Sequence, residues 1–278
     1  MQSPFPYAAN CSLLFRETDL LNRPAAASAA GFDAIEFWWP WSDRPVPADA
    51  DVDAFAAAVE EAGVWLIGLN FFAGDLFGPD CGVLSLPDRA AEFRDNVDVA
   101  VAIGERLGVR AFNALYGNRV DAADESAQDD LATENLAFAA KAAARIGATV
   151  LIEPVSGPKP YPLRTAGDVA AVLERVRAVG ASNVAMLLDV FHLANNGDDV
   201  SRAIERHAAD IGHVQIADYP GRGEPGTGEL DLDDHLARLR DVGYDGWVSL
   251  EYNPTTTTAE SLQWLPREQR ARSRRTSS

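Results

Sequence analysis

The sequence predicts an α/β fold, a single (β/α)8 TIM barrel, and three observations support this prediction. The chain has 278 residues, which is close to the roughly 250 residues typical of such a barrel. Eight apolar runs alternate with segments of helical periodicity, and a glycine recurs where a helix gives way to the next strand. We therefore predict one barrel domain over residues 1–265 instead of two smaller domains.

Eight apolar runs, rich in β-branched and aromatic residues, are the strand candidates. They lie at residues 7–15, 34–38, 64–72, 110–116, 149–155, 184–192, 211–219 and 246–252. Segments with helical periodicity lie between them, at residues 51–62, 88–107, 125–146, 166–179 and 232–242. Strands that alternate with helices indicate a parallel sheet. Eight such units favour a closed barrel over an open doubly wound sheet, and no Gly-x-Gly-x-x-Gly turn follows the first strand to indicate a dinucleotide site.

A glycine marks five of the joints between a helix and the next strand. These glycines are Gly31, Gly63, Gly108, Gly147 and Gly243. Glycine readily adopts the left-handed backbone conformation that ends many helices. The joints are thus located by a signal that is independent of hydrophobicity.

The composition restricts the classes of function. With 47% hydrophobic and 24% charged residues, the chain has the composition of an ordinary globular protein. The formal net charge of -18 argues against a nucleic-acid partner, because duplex nucleic acid is held largely by Lys and Arg contacts to phosphates. No cationic amino-terminal segment before an apolar run and no membrane-length apolar stretch is present. We expect a cytoplasmic protein with a small-molecule partner and no membrane contact, and the sequence leaves a homo-oligomer open.

The last residues and the two cysteines are expected to carry no function. Residues 266–278 contain five arginines among polar residues, a composition that can bury little apolar surface. We predict a basic, disordered tail there, and we favour a solvated end over contact with an acidic partner or with the protein's own surface. Cys11 and Cys81 are too few and too far apart for a disulfide framework or a zinc site, so reduced thiols are expected.

Each of the last four predicted strands ends in a polar residue that can bind a metal ion. These residues are Glu153, Asp189, Gln215 and Glu251, and in a barrel all four face the carboxyl-terminal mouth, where enzymes of this fold bind substrate. Crowded carboxylates raise one another's proton affinity, and a divalent cation keeps them ionised together. Oxygen ligands favour Mg²⁺ or Mn²⁺ and leave two octahedral positions for substrate oxygens. One such carboxylate alone would more simply pair with a loop Lys or Arg, but four on successive strands favour the metal.

Several segments resemble the hydroxypyruvate isomerase family of xylose-isomerase-like barrels. They lie at residues 7–15, 31–37, 151–154 and 189–192, and the most specific is Gly-His-Val-Gln-Ile-Ala-Asp-Tyr-Pro-Gly-Arg-Gly-Glu-Pro-Gly-Thr-Gly-Glu at 212–229, followed by Gly-Tyr-Asp-Gly-Trp-Val at 243–248. The resemblance covers about residues 7–265. It implies a metal on the four strand-end residues and acid/base roles for Glu153 and Glu251. The implied reaction interconverts hydroxypyruvate and 2-hydroxy-3-oxopropanoate (tartronate semialdehyde) through an enediolate, which needs one proton removed beside a carbonyl and one returned.

Three further residues are candidates for substrate binding. His192 follows Asp189 by three residues, and its neutral imidazole could bind a substrate oxygen; a histidine that caps the next loop is nearly as good an interpretation. Arg222 could bind a substrate carboxylate through two parallel hydrogen bonds, with a surface arginine as the alternative. Lys159 adds a cation near the mouth. Glu224 could orient Arg222.

Other polar and aromatic residues are assigned on weaker grounds. We expect a structural role for Glu36, surface positions for His207 and His235, and a side chain of His213 that points away from Gln215. The aromatic residues could wall the pocket and exclude water, although core packing explains each of them equally well. They are Trp38, Trp39, Trp41, Phe71 and Phe72.

The substrate is less well defined than the metal site. Residues 156–162, Ser-Gly-Pro-Lys-Pro-Tyr-Pro, depart from the acidic, glycine-rich stretch expected in the family, and so do Asn113 and Tyr116 in the fourth strand. One alternative is therefore an isomerase or epimerase of a larger keto sugar or 2-oxo sugar acid. A metal-dependent phosphodiesterase is a weaker alternative, because four histidines and the negative charge do not suit it.

Overall fold

The computed structural model describes residues 5–271. Eight parallel strands close into a barrel in sequence order, β1 to β8, with β8 pairing back to β1. The strands are β1 (Tyr7–Asn10), β2 (Ala34–Phe37), β3 (Trp65–Asn70), β4 (Ala111–Asn113), β5 (Thr149–Ile152), β6 (Val184–Asp189), β7 (Ile211–Ile216) and β8 (Val248–Leu250). The predicted (β/α)8 barrel is confirmed.

The helices surround the sheet. They are α1 (Arg23–Ala30), α2 (Asp49–Ala62), α3 (Ala90–Leu107), α4 (Glu125–Ala144), α5 (Ala166–Ala178), α6 (Val190–Asn195), α7 (Val200–Arg206), α8 (Leu232–Asp241) and α9 (Thr258–Ser261). The five predicted helices correspond to α2, α3, α4, α5 and α8, and each bound agrees within two residues. Within residues 5–271, none of the helices is both long enough and apolar enough to cross a membrane.

All eight predicted strands extend beyond the observed strands at their carboxyl ends, by one to five residues. The run at residues 184–192 was predicted as one strand, but β6 ends at Asp189 and α6 begins at the next residue. The Asp189 carboxylate accepts a hydrogen bond of 3.0 Å from the backbone N–H of His192 and so caps α6. An apolar run alone does not distinguish a buried strand from a short helix. The runs at 7–15 and 110–116 likewise leave the sheet early, after Asn10 and Asn113.

The glycine joints are confirmed. All five glycines have positive φ angles, which range from 66° to 99°. Three of them, Gly31, Gly63 and Gly108, directly follow the last residue of a helix in the left-handed conformation. These turns return the chain to the amino-terminal side of the barrel, so every strand ends at the opposite mouth.

Aromatic side chains fill the layer between the sheet and the helices. Phe71 stacks on Phe112 with ring centroids 5.1 Å apart and meets Phe93 of α3 edge-on at 5.5 Å. Trp41 packs on Phe55 of α2 in the same way. Phe71 and Trp41 are therefore core residues and not the pocket walls that we considered.

The beginning of the predicted tail packs against the barrel. Arg267–Gln269 form a 3-10 turn, and the guanidinium groups of Arg267 and Arg270 donate hydrogen bonds to the carbonyls of Ala29 and Ala30 at the end of α1. Cationic side chains at a helix carboxyl terminus satisfy its free carbonyls. Residues up to 271 are thus attached to α1, and the predicted disorder of residues 272–278 lies outside the described residues.

Thr165 offers a test of the local stability of α5. Its side chain accepts a hydrogen bond from the Asp168 backbone, and the Asp168 carboxylate accepts one from the Thr165 backbone in return. We expect Thr165→Ala to lower the free energy of unfolding by about 1 kcal/mol, measured as a lower urea midpoint. Thr165→Ser, which keeps the hydroxyl, is the control. An unchanged midpoint in Thr165→Ala would refute the contribution of this cap.

Candidate active site

The four predicted metal ligands lie together at the carboxyl-terminal mouth of the barrel. Glu153 directly follows β5, Asp189 ends β6, Gln215 lies in β7 and Glu251 directly follows β8. Asp189 and Gln215 are register partners in neighbouring strands. All four side chains are buried, so the site concentrates three carboxyl groups where water does not solvate them freely.

Arg222 is the cation that contacts these carboxylates. One of its guanidinium nitrogens, Nη2, lies 2.5 Å from Glu251 Oε2 and 3.8 Å from Asp189 Oδ2. The guanidinium also lies over the ring of Phe191, 5.4 Å from its centroid. Its backbone has a positive φ of 56°, an unusual conformation for a residue with a side chain. The loop after β7 thus inserts Arg222 into the acidic cluster.

A hydrogen-bond network beneath the mouth holds Gln215 in place. The Gln215 amide donates to Glu36 at 2.6 Å and to Glu251 at 3.2 Å. Glu36 also contacts His213 at 2.8 Å, and Asn10 donates to both Glu36 and Glu251. The expected structural role of Glu36 agrees with these contacts. The expectation for His213 was wrong, because residues two apart in a strand share a face, and both His213 and Gln215 contact Glu36.

Burial shifts the proton affinity of the carboxyl groups. Burial, together with the charge of Asp189, raises the pKa of Glu153 to about 8, although Asn113 and Arg222 act in the opposite direction. Burial also raises the pKa of Glu251 well above its ordinary value, against the opposing charge of Arg222. The pKa of Glu36 lies below its ordinary value because the hydrogen bonds from His213, Gln215 and Asn10 outweigh burial. Arg222 therefore opposes the increase in the pKa of Glu153 and Glu251 without cancelling it.

Two buried oxygens of the cluster lack hydrogen-bond partners among residues 5–271. They are Asp189 Oδ2 and Gln215 Oε1. Buried polar atoms are nearly always paired in folded proteins, and an unpaired one calls for an explanation such as an ion. Because the Gln215 amide nitrogen is already committed to Glu36, its oxygen is free to act as a ligand. Carboxylate and amide oxygens with this arrangement fit a hard divalent cation.

His192 completes the compact part of the cluster. Ligand atoms of Glu153, Asp189 and His192 lie within 4.8 Å of one another. The His192 Nδ1 accepts a hydrogen bond of 3.1 Å from the Ser156 backbone N–H, so the neutral ring carries its proton on Nε2, 3.7 Å from Asp189 Oδ2. Burial lowers the pKa of His192 to about 4. The ring is thus neutral and presents an N–H donor beside the acidic cluster.

A cavity of about 230 Å³ opens above these residues. Its polar lining includes Glu153, Glu251, His192, Arg222 and Lys159. The volume is below the 300–1,000 Å³ of pockets for drug-sized ligands, which favours a small substrate. Apolar and neutral side chains complete the wall: Trp38, Asn70, Leu76, Cys81, Leu115, Val155, Ser156, Pro158 and Tyr161.

Lys159 connects two loops at the rim of this cavity. Its ammonium group donates hydrogen bonds to the carbonyls of Leu76 and Asp80, in the loop after β3. The segment 156–162, which departs from the family pattern, thus places the Lys159 cation at the cavity. Through Lys159 it is hydrogen-bonded to the loop after β3. Cys81 on that loop is a free thiol, as expected, and burial raises its pKa to about 12.

Comparisons with known proteins show the family of this chain. Residues 24–268 match the family model of the xylose isomerase-like TIM barrel. A Streptomyces coelicolor protein, provisionally named a hydroxypyruvate isomerase, is 53% identical over 95% of this chain and 97% of its own length. The 2-oxo-tetronate isomerase of Cupriavidus necator is 35% identical over 93% and 96%, and the hydroxypyruvate isomerase of Escherichia coli is 32% identical over 93% and 97%.

The chain belongs to the hydroxypyruvate isomerase family of xylose isomerase-like TIM barrels. Its homologues include named isomerases, and the predicted enzyme class, an isomerase of this kind, is confirmed. A solved structure from Brucella melitensis, described as an AP endonuclease of family 2, has a TM-score of 0.83 and 34% identity over 93% of this chain and 97% of its own. The barrel is thus shared by relatives with different names.

Some residues at this family site differ from their predicted roles. Glu224 does not contact Arg222: its carboxylate accepts hydrogen bonds from the backbone and hydroxyl of Thr255. Of the aromatic candidates only Trp38 lines the cavity, and its indole N–H donates to Glu251 at 2.7 Å. Trp39 instead donates to the carbonyl of Arg44. The Trp38–Glu251 and Glu224–Thr255 contacts join residues that are 213 and 31 positions apart in the sequence. Sequence spacing therefore carried no signal for them.

Asp218 is a residue that sequence reasoning missed. Its buried carboxylate accepts hydrogen bonds from the backbone N–H groups of Tyr219, Gly226, Gly228 and Leu230. It therefore shapes the loop that inserts Arg222. The sequence did carry a signal for this role, because Asp218 lies just after an apolar strand and before a glycine-rich loop. Short acidic side chains commonly organise turns.

Proposed function

We propose that this isomerase uses one divalent metal ion, Mg²⁺ or Mn²⁺, to interconvert hydroxypyruvate and 2-hydroxy-3-oxopropanoate. The observation that carries the proposal is the group of three buried carboxyl groups and one glutamine oxygen, with two oxygens unpaired; two of its members, Glu153 and Glu251, line a small cavity. Glu153, Asp189, Gln215 and Glu251 would hold the ion. When bound, such an ion would stabilise the negative charge that develops on the substrate oxygens.

Glu153 and Glu251 are the groups that can move the protons. Both line the cavity, and they approach it from different strands. Oε1 of Glu153 accepts a hydrogen bond of 2.6 Å from Asn113, which orients the carboxyl group. One glutamate removes a proton from the hydroxyl-bearing carbon, which yields an enediolate, and the other returns a proton to the neighbouring carbon. The net change moves one hydrogen between the two carbons and one between their oxygens.

Arg222, His192 and Lys159 would bind the rest of the substrate. A divalent cation on the carboxylates would replace the guanidinium of Arg222 as their counter-charge and free it to bind the substrate carboxylate. The Nε2–H group of His192 would donate to a substrate oxygen. Lys159 retains one donor beyond its two bonds to backbone carbonyls, and it adds positive charge at the rim.

Arg222→Lys tests the proposed carboxylate contact. We expect kcat/KM to fall about 10- to 100-fold, mainly through a higher KM, because the ammonium group cannot form two parallel hydrogen bonds to one carboxylate. Steady-state kinetics over a range of substrate concentrations separate KM from kcat. Arg44→Lys, on an exposed loop, is the control and is expected to match the unaltered protein. A change of kcat alone in Arg222→Lys would argue against substrate binding by this residue.

A four-carbon 2-oxo acid is the second candidate substrate. Asn70 lines the cavity, and within residues 5–271 its side-chain amide has no hydrogen-bond partner. Such an amide could bind the additional hydroxyl of a 2-oxo-tetronate, the substrate named for the Cupriavidus necator relative. Phosphodiester hydrolysis has less support, because His192 is the only one of the four histidines that lines the cavity.

Product identification by NMR tests the proposed function. The purified protein with Mg²⁺ or Mn²⁺ is incubated separately with hydroxypyruvate and 2-oxo-tetronate. We expect conversion of hydroxypyruvate to 2-hydroxy-3-oxopropanoate. Faster conversion of 2-oxo-tetronate would select the second candidate, and conversion of neither compound would contradict the proposal.

A further inference from the structure

A second cavity of about 170 Å³ lies beside the reaction cavity. Trp38 and Leu76 line both cavities and form the partition between them. The second cavity also contains two arginines, Arg16 and Arg23, and the aromatic side chain of Phe77. It is thus a cationic and aromatic recess at the mouth of the barrel, which the proposed isomerisation does not use.

The two arginines of this recess lack acidic partners. Within residues 5–271, neither guanidinium forms an ion pair within 4.0 Å, whereas Arg44 nearby contacts Asp43 at 2.8 Å. Arg23 donates to the carbonyls of Thr18 and Cys11, and the Arg16 guanidinium lies 4.5 Å above the ring of Phe77. Two arginines without an ion pair in one recess are unusual in a chain with a net charge of -18.

The local electrostatics favour an anion between these arginines. Burial lowers the pKa of Arg23 and the positive charge of Arg16 lowers it further, although neighbouring groups such as Asp19 partly offset the effect. The nearby Glu17 carboxylate is occupied by the backbone and hydroxyl of Thr258. An anion that contacts both guanidinium groups would relieve their mutual repulsion and gain charge-assisted hydrogen bonds.

We propose that this recess binds a small oxyanion, a carboxylate or phosphate group, through Arg16 and Arg23. Arg23 is half-buried and Arg16 is exposed, so an anion can enter from solvent and contact both guanidinium groups. Trp38 borders both cavities, and its indole N–H donates to Glu251 in the reaction cavity. The anion is either the distal group of a substrate that extends from the reaction cavity or a free anion that binds beside it.

Titration with inorganic phosphate at low ionic strength tests the site directly. Binding is measured by calorimetry and by tryptophan fluorescence, since Trp38 and Trp39 line the recess. We expect Arg16→Gln and Arg23→Gln each to weaken phosphate binding about tenfold, and Arg44→Gln to leave it unchanged. Arg16 forms no hydrogen bond with residues 5–271, so Arg16→Gln carries the test if Arg23→Gln does not fold.

Three outcomes would overturn the proposal. They are no phosphate binding in the millimolar range, equal affinity in Arg16→Gln and the unaltered protein, and loss of binding only in Arg222→Gln, which would place the anion in the reaction cavity. These measurements need no turnover, so their failure is distinct from failure of the proposed isomerisation.

Kinetics then distinguish the two sources of the anion. If the anion is part of the substrate, Arg16→Gln raises KM for hydroxy-carbonyl compounds with a distal phosphate but not for hydroxypyruvate, and inorganic phosphate competes with the longer compounds. If the anion is free, Arg16→Gln changes phosphate affinity and leaves every KM unaltered. Either pattern supports the site.

Discussion

Glu153→Gln and Glu251→Gln are each expected to lower kcat about 100- to 10,000-fold. Glutamine preserves the shape of the side chain but cannot accept and return a proton. Both residues line the cavity. Substitution of either one removes one of the two proposed proton transfers. The measurement is kcat for hydroxypyruvate at saturating metal, followed by NMR.

Glu229→Gln is the matched control for these two variants. Glu229 is an exposed carboxylate in the loop after β7, and we expect kcat to remain unchanged. Thermal melting of all three variants verifies that the barrel is folded. Full activity in either catalytic variant, with the fold intact, would contradict its role in proton transfer.

Removal of divalent cations is expected to lower turnover at least about 100-fold, because loss of the cation removes several kcal/mol of charge stabilisation. Addition of Mg²⁺ or Mn²⁺ should restore it. The unpaired oxygens of Asp189 and Gln215 are the physical reason to expect a cation here. Calorimetric titration with Mn²⁺ provides an independent readout, and we expect one ion per chain.

Gln215→Leu and Gln215→Glu together separate the ligand role from the fold. Both lose the amide that donates to Glu36, but only Gln215→Glu retains an oxygen ligand. We expect weaker Mn²⁺ binding in Gln215→Leu and substantial retention in Gln215→Glu. Turnover that is indifferent to chelation, or Mn²⁺ affinity that is equal in all three proteins, would contradict the proposed metal site.

The arrangement of the strand ends could be predicted from sequence because parallel strands in a barrel all end at one mouth. Locating Glu153, Asp189 and Glu251 at the ends of apolar runs was therefore enough to bring them together. His213 could also have been placed correctly: it lies two residues before Gln215, and the strand period of two puts both on one face. The spacing of His213 and Gln215 therefore predicts that both side chains lie on one face, contrary to our expectation.

The polar network could not be predicted, because its bonds join residues that are distant in sequence. Gln215 and Glu36 are 179 positions apart, and Asn10 and Glu251 are 241 apart. No periodicity relates such pairs, and their geometry depends on barrel closure. The carboxyl end of β6 was missed for a different reason, since a run of apolar residues has the same composition in a strand as in the short helix α6.

Hydrogen exchange at the substrate carbon tests the central claim most directly. The protein is incubated with hydroxypyruvate in deuterated water, and NMR follows deuterium at the carbon next to the carbonyl, with and without chelator. We expect exchange that requires a divalent cation and that is lost in at least one of Glu153→Gln and Glu251→Gln, the variant that lacks the glutamate that removes the proton. Two results would contradict this mechanism. One is isomerisation that resists chelation fully and leaves no solvent deuterium in the product, and the other is exchange at the unaltered rate in both variants.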